Sequence, residues 1–275
     1  MAITSRSSDL LLYGGMVALL MVLAVSQQER AYAPAAPPPV PGDASLGAAA
    51  GLGPGQVQRL PQHAFEQASG TAFSVSEAGV WITARHVVDA CRRAAVLTSP
   101  GRGALARVLG DRLSDVAVLV TQGGAPPLPM APAAQLAGGQ IAFHPGYPRE
   151  QAGEAASRFL GRYHLPSAFR GAPPQAVQAW AEVGRTDGLE GDLAGLSGAP
   201  VLDAKGQVVG VTLAESPRRG RIYAAPRAAI DTALASAGQA AGGFAQGQTI
   251  TTDNYGRAAD ALRRQLSVAE VVCLD

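Results

Sequence analysis

The sequence has few aromatic and few charged residues, and this scarcity limits the classes of protein to which it can belong. Aromatic side chains make up 5% of the 275 residues and charged side chains 16%, and Lys205 is the single lysine. A net charge of +1 gives no basic surface of the kind that binds nucleic acid, so we expect no nucleic-acid partner. With 33 glycines and 20 prolines, we expect many turns and short strands rather than long helices.

The sequence also lacks the motifs that bind phosphates, dinucleotides or zinc. His63, His144 and His164 fall in Pro- or Gly-rich segments that we predict to be loops. No cysteine or carboxylate stands at metal-ligand spacing from any of them. We therefore expect no cofactor and no metal ion.

A single long apolar run occurs near the beginning of the sequence, at residues 10–25 (LLLYGGMVALLMVLAV). Because a membrane-spanning helix needs roughly 17–25 residues, this run is either a short membrane anchor or the core of a cleaved signal peptide. Both alternatives export the domain that comes after it. The Ala-, Gly- and Pro-rich composition is typical of a bacterial protein. We expect a domain in the bacterial cell envelope, periplasmic and anchored in the inner membrane, or secreted if the segment is cleaved.

Composition divides the chain into four parts. Residues 1–30 form the anchor or signal segment, and residues 31–57 are a linker too rich in Pro, Ala and Gly to build a core. Residues 58–240 form the folded domain, and residues 241–275 a C-terminal extension.

Short β-favouring runs at intervals of roughly 8–12 residues predict a sandwich or barrel for the folded domain. These runs lie at residues 71–75, 80–83, 94–98, 116–120, 140–143, 199–202 and 207–213. Residues 203–206 (DAKG) predict a hairpin turn. Helices are predicted at residues 227–237 and 257–266, with a further possible strand at 268–274.

Three local motifs combine into one constellation. Residues 81–88 (WITARHVV) place His86 at the end of a strand, and residues 113–119 (LSDVAVL) place Asp115 at the head of another. Residues 195–201 (GLSGAPV) place Ser197 between two glycines. Each motif alone is more often structural than catalytic, but their joint occurrence in the order His, Asp, Ser favours a shared chemical role.

The chemistry requires these residue types. A serine hydroxyl becomes a useful nucleophile when an adjacent base takes its proton, and an imidazole can do so near neutral pH. A carboxylate such as Asp115 then holds the imidazole tautomer. The backbone N–H groups of Gly195 and Ser197 are candidates for the oxyanion hole. The order of the three residues along the chain excludes an esterase of the α/β-hydrolase class, because in that fold the serine comes first, then the acid and then the histidine.

The three motifs resemble those of trypsin-like serine peptidases, most closely the bacterial high-temperature-requirement (HtrA/Deg) branch. Residues 207–211 and 222–226 are similar to two further strands of that family, so the resemblance covers about residues 68–237. It implies an all-β chymotrypsin-like double six-stranded β-barrel with a C-terminal helix. It also implies a serine endopeptidase that hydrolyses proteins or peptides through the triad His86, Asp115, Ser197 and an acyl-enzyme.

Two departures from the family pattern limit what the resemblance implies. Leu196 precedes the nucleophile, where chymotrypsin has an aspartate that pairs with a new N-terminus, so activation by zymogen cleavage is not expected. The stretch after Ala237 is too short for the PDZ domain usual in HtrA proteins. A catalytically silent protease fold that serves as a binding or assembly module at the cell envelope remains the alternative function.

The substrate pocket is expected near Gly191, Asp192, Leu213 and Glu215. Its carboxylates either favour a basic substrate side chain or are simply solvated loop charges.

The two cysteines, Cys91 and Cys273, form a disulfide if the chain is exported, since disulfides persist in oxidising compartments. The apolar residues around Cys273 (VAEVVCL) favour a segment that docks on the domain. Otherwise Cys91 is a small core residue and Cys273 lies in a free tail.

Overall fold

The structure, a computed structural model, describes residues 52, 56–60, 69–89, 91, 93–110, 114–132, 136–167, 169, 171–242 and 247–274. The apolar run at residues 10–25 lies outside this described part. Within the described part, no helix combines the length and apolarity needed to cross a membrane.

The first barrel is built from antiparallel strands in the order β5-β4-β13-β2-β3-β6, and the pairing of β5 with β6 closes it. A short seventh strand, β1, pairs with β5 at one end. The strands are β1 Val57–Arg59, β2 Ser69–Ser76, β3 Val80–Ala84, β4 Ala94–Ser99, β5 Arg102–Leu109, β6 Val116–Val120 and β13 Val268–Cys273. Closure leaves no open edge in this sheet apart from β1.

The second barrel is closed from six strands in the order β10-β11-β12-β9-β8-β7. They are β7 Ile141–Gly146, β8 Gly153–Leu165, β9 Gln175–Arg185, β10 Pro200–Leu202, β11 Val208–Ser216 and β12 Arg221–Pro226. The sequence pattern did not predict β8 and β9, which pair as one long hairpin. The predicted double six-stranded β-barrel is confirmed.

In the described part of the chain, three α-helices accompany the barrels: α1 Arg85–Val88, α2 Arg227–Ser236 and α3 Tyr255–Arg264. The helix α2 buries Ile230 and Leu234 and contacts β6 of the first barrel and β11 of the second. The helix α3 contacts β7, β8 and β13. Both longer helices therefore tie one barrel to the other.

The segment at residues 241–275 is not an appendage beside the two barrels. Its strand β13 lies inside the first barrel, between β4 and β2, with Val271 opposite Val96 on one side and Val268 opposite Phe73 on the other. The first barrel therefore includes a strand from the segment that follows the boundary predicted at residue 240. Five of the six residues of the strand are buried, and Glu270 is partly buried.

A buried ion pair attaches α3 to the second barrel. The Arg263 side chain is 7% exposed and its Nη2 lies 2.9 Å from Glu154 Oε2. Its Nη1 donates to the carbonyl oxygens of Gly146 and Gly153, so several acceptors compensate the buried charge. These contacts hold both ends of the β7–β8 turn against α3.

A disulfide joins Cys91 to Cys273, with 5.2 Å between their Cα atoms and a sequence separation of 182. Cys91 follows helix α1, which carries His86, and Cys273 ends β13. The bond therefore ties the central strand of the first barrel to the segment that follows the histidine.

Loss of this disulfide should destabilise the protein. A Cys91→Ala/Cys273→Ala variant is expected to lose roughly 3–5 kcal/mol of unfolding free energy, because the bond closes a long loop in the unfolded chain. Urea unfolding with and without reductant measures the loss. An unfolding midpoint that does not change when the wild-type protein is reduced would contradict the expectation.

His144 is fully buried inside the second barrel, on β7, whereas the sequence pattern placed it in a loop. Its Nδ1 lies 2.9 Å from Thr212 Oγ1 and its Nε2 lies 2.7 Å from Ser157 Oγ. Burial lowers the pKa of His144 from 6.5 to about 3. The imidazole is therefore neutral in the folded protein under ordinary conditions.

The burial of His144 should make the protein sensitive to acid. Below pH 6.5 the unfolded chain binds a proton at this histidine, while the folded protein does not until about pH 3. Stability should thus fall by up to about 1.4 kcal/mol per pH unit across that window. Urea unfolding between pH 7 and 4 tests this, with His144→Gln as the variant that lacks the titrating group. Equal pH slopes for both proteins would refute it.

Candidate active site

The pairing of β3 with β6 brings His86 and Asp115 together. Ala84, the last residue of β3, lies opposite Val116, the first residue of β6. The residues that follow β3 and precede β6 therefore meet at the same end of the first barrel. Beyond the last strand pair, the Arg85 N–H donates to the Asp115 carbonyl at 3.2 Å, which continues the pairing by one residue.

The Asp115 carboxylate holds His86 by its ring and by its backbone. His86 Nδ1 lies 3.0 Å from Oδ1 and 2.9 Å from Oδ2, and the His86 N–H donates to Oδ1 at 2.9 Å. The Asp115 side chain is 13% exposed, whereas the His86 side chain is 38% exposed. The carboxylate therefore lies behind the ring and leaves the other side of the ring accessible.

Ser197 lies in a tight loop just before β10. The neighbouring Gly198 has φ +90°, and a Cβ at this position would collide with the Thr71 carbonyl oxygen. Glycine is required there because the second barrel approaches β2 of the first so closely. The loop thus places Ser197 at the junction of the two barrels, on the side of β2.

The Ser197 hydroxyl points to a backbone acceptor. Its Oγ donates to the Leu213 carbonyl oxygen at 3.0 Å. Within the described part of the chain, no hydrogen bond joins Ser197 to His86. The structure therefore brings the predicted histidine and acid into contact, and it leaves the serine in a rotamer directed toward β11.

Two backbone amides beside Ser197 have no partner among the described protein atoms: the N–H groups of Gly195 and Ser197. The Ala194 carbonyl, which belongs to the same peptide unit as the Gly195 N–H, accepts from the Arg149 N–H at 2.5 Å. Because carbonyl and N–H lie on opposite sides of a trans peptide, the Gly195 N–H is directed away from Arg149. Both candidate oxyanion donors are thus free to bind a ligand.

A cavity of about 250 Å³ opens beside Ser197, and two carboxylates, Asp192 and Glu215, lie in its wall. Apolar side chains complete it, including Leu193 and Ile222. Glu215 Oε1 accepts from the Leu193 N–H at 2.6 Å, so this carboxylate also fixes the loop that precedes the serine. Burial raises the pKa of Glu215, against the effect of that N–H and of nearby Arg185.

The other two residues predicted for the substrate pocket, Gly191 and Leu213, do not line the cavity beside Ser197. Gly191 lines a separate cavity together with Glu190. Leu213 contributes its carbonyl oxygen, the acceptor for the Ser197 hydroxyl. Among the described residues, no group of three or more His, Cys, Asp or Glu side chains could hold a metal ion.

Comparisons with known proteins agree with this architecture. A search of curated proteins finds no significant match. Among solved structures, the active form of the Rv3671c protease from M. tuberculosis matches with a TM-score of 0.52 and 22% identity, over 71% of this chain and 82% of that chain. Its inactive form matches with a TM-score of 0.50 and 23% identity, over 62% of this chain and 83% of that chain. At these identities the likeness is one of fold.

The family of the chain is shown by its sequence. The profile of the trypsin-like peptidase domain matches residues 70–211, just over half of the chain. This range contains His86, Asp115 and Ser197, the three residues that carry the resemblance in sequence. The chain therefore belongs to the trypsin-like peptidase family.

Proposed function

We propose that this protein is a serine endopeptidase that hydrolyses peptide bonds of proteins through His86, Asp115 and Ser197. The observation that carries the proposal is the His86–Asp115 contact at one end of the first barrel. The unpartnered N–H groups of Gly195 and Ser197 support it, because they lie beside the Ser197 hydroxyl.

The proposed reaction begins with a rotation about the Ser197 Cα–Cβ bond, which moves Oγ from the Leu213 carbonyl to His86 Nε2. As Oγ attacks the substrate carbonyl carbon, Nε2 takes the hydroxyl proton and Asp115 stabilises the imidazolium through Nδ1–H. The N–H groups of Gly195 and Ser197 donate to the oxyanion. The proton then passes to the leaving amine, and water hydrolyses the acyl-enzyme by the same steps.

A catalytically silent binding module is the second candidate function. The bond from Ser197 Oγ to the Leu213 carbonyl favours it, because a serine held in this rotamer cannot pass its proton to His86. The two candidates differ in whether Ser197 reacts covalently.

We also propose that the domain lies outside the cytoplasm, held at the membrane by its N-terminal segment. The apolar run at residues 10–25 and the Cys91–Cys273 disulfide support this placement, since disulfides persist in oxidising compartments. Thiol alkylation before cell lysis tests it, because labelled Cys91 and Cys273 would place the domain in a reducing compartment.

Ser197→Ala should abolish peptide hydrolysis and labelling by a fluorophosphonate probe while preserving the fold, since alanine fits between Gly195 and Gly198. His86→Ala should be nearly as severe, because the members of a triad act as a unit. Turnover and labelling are measured on the wild-type protein and both variants. A Ser197→Ala protein with wild-type turnover would refute the assignment. A folded wild-type protein that is neither active nor labelled would support the silent module.

The two carboxylates of the cavity should favour substrates with a basic side chain at the residue whose carbonyl is attacked. Glu215→Gln keeps an acceptor for the Leu193 N–H but removes the charge. We expect kcat/KM for an arginine substrate to fall about fivefold relative to its neutral analogue, as for a charge pair near the surface worth about 1 kcal/mol. Glu190→Gln, which removes a charge from the other cavity, is the matched control. An unchanged ratio in Glu215→Gln would show that this carboxylate only braces the loop.

A further inference from the structure

Thr71 on β2 makes two hydrogen bonds to the loop that carries Ser197. Its N–H donates to the Ser197 carbonyl at 2.8 Å, and its Oγ1 donates to the Gly195 carbonyl, also at 2.8 Å. The Thr71 residue has no exposed surface. A single residue of the first barrel thus fixes two carbonyl groups of the second.

The direction of the Thr71 hydroxyl is determined by a third bond. Its Oγ1 accepts from the Tyr147 N–H at 3.0 Å. A hydroxyl has one proton to donate, and the Tyr147 N–H supplies its own, so the Thr71 proton goes to Gly195. Thr71 itself is held in place, because the Thr83 hydroxyl donates to the Thr71 carbonyl at 2.7 Å.

The same arrangement extends to the neighbouring peptide units. The Ala194 carbonyl accepts from Arg149, two residues beyond Tyr147, and the Leu196 carbonyl accepts from the Ala199 N–H at 2.9 Å. All four carbonyl groups from residue 194 to residue 197 therefore have donors. The Ala194 and Leu196 carbonyls share their trans peptide units with the N–H groups of Gly195 and Ser197, so the bonds to these two carbonyls leave those N–H groups facing the other way. The peptide unit of the Gly195 carbonyl, which Thr71 binds, lies between them.

Gly195 is the residue of this loop whose backbone conformation its own side chain restrains least. It has φ +92°, and glycine has the widest choice of backbone conformations of any residue. The bond from Thr71 fixes the carbonyl of Gly195, and with it the rotation about the Gly195 Cα–C bond. Without this bond the Gly195 carbonyl loses the donor that holds it, and rotation about the Gly195 Cα–C bond is no longer restrained.

We propose that the Thr71 hydroxyl is a positioning group for the oxyanion hole, acting through the Gly195 carbonyl to orient the two free amides. This inference rests on the proposed function, because it assigns Thr71 a role in stabilising the oxyanion of that reaction. Thr71 does not touch the reacting atoms.

The experiment compares variants that differ in the hydroxyl. Thr71→Val has the same side-chain shape as the wild-type residue but lacks the hydroxyl. At smaller side-chain volume, Thr71→Ser keeps the hydroxyl and Thr71→Ala lacks it. We expect kcat to fall about 10- to 100-fold in Thr71→Val and in Thr71→Ala, below the loss for a missing oxyanion donor, with KM changed less than about twofold. Thr71→Ser should restore kcat to within about threefold. Affinity for a peptide aldehyde, whose hemiacetal oxygen occupies the oxyanion position, should fall in parallel with kcat.

Thr121→Val is the matched control. Thr121 is also buried in the first barrel, where its hydroxyl accepts from Trp81 Nε1 at 2.9 Å and donates to the Gly123 carbonyl at 2.6 Å. Thr121→Val should lower Tm as Thr71→Val does, but leave kcat and the affinity for the peptide aldehyde unchanged.

Three outcomes would decide against the inference. Wild-type kcat in Thr71→Val, or equal losses of kcat in the Thr71→Val and Thr121→Val proteins, would show that the hydroxyl contributes only stability. If Thr71→Val does not fold, equal kcat values for Thr71→Ser and Thr71→Ala would have the same meaning. Hydrolysis that persists in Ser197→Ala would instead overturn the proposed function, and this inference with it.

Discussion

The insertion of β13 between β4 and β2 is the constraint on which the rest of the molecule depends. Without this strand, β4 and β2 would be open edges and the first barrel would not close. Strand β2 carries Thr71, and the disulfide at the end of β13 reaches the segment after His86. Displacement of one strand would therefore affect both the histidine and the loop that carries the serine.

The site is organised by hydrogen bonds to main-chain groups as well as to side chains. The Asp115 carboxylate binds both the ring and the N–H of His86, so the acid fixes the histidine's main chain as well as its tautomer. On the other barrel, the donors from Thr71 and Arg149 fix the carbonyl groups around Ser197. Such an arrangement costs no reorganisation when charge develops, which is why preorganised donors are effective in water-excluded sites.

The sequence predicted the parts of this protein that local pattern determines. His86, Asp115 and Ser197 each stand beside a short apolar strand, so their motifs predicted the fold. The contact between His86 and Asp115 lies where two of these strands pair. The place of β13 could not be predicted, because an apolar segment does not specify a pairing partner far away in sequence. Strands β8 and β9 were missed because exposed residues, among them Leu160 and Tyr163, interrupt the expected alternation. His144 lies between Phe143 and Pro145, a context typical of a loop, and only tertiary packing buries it.

The position of β13 also determines when the protein can fold. The cysteines that join the two parts of the first barrel are 182 residues apart, and the whole second barrel is encoded between them. The first barrel therefore cannot be completed during synthesis before the sequence of the second has emerged. Folds that depend on contacts between residues distant in sequence form slowly relative to domains with local contacts. In the nascent chain, β4 and β2 therefore lack the strand that joins them until residues 268–273 have emerged.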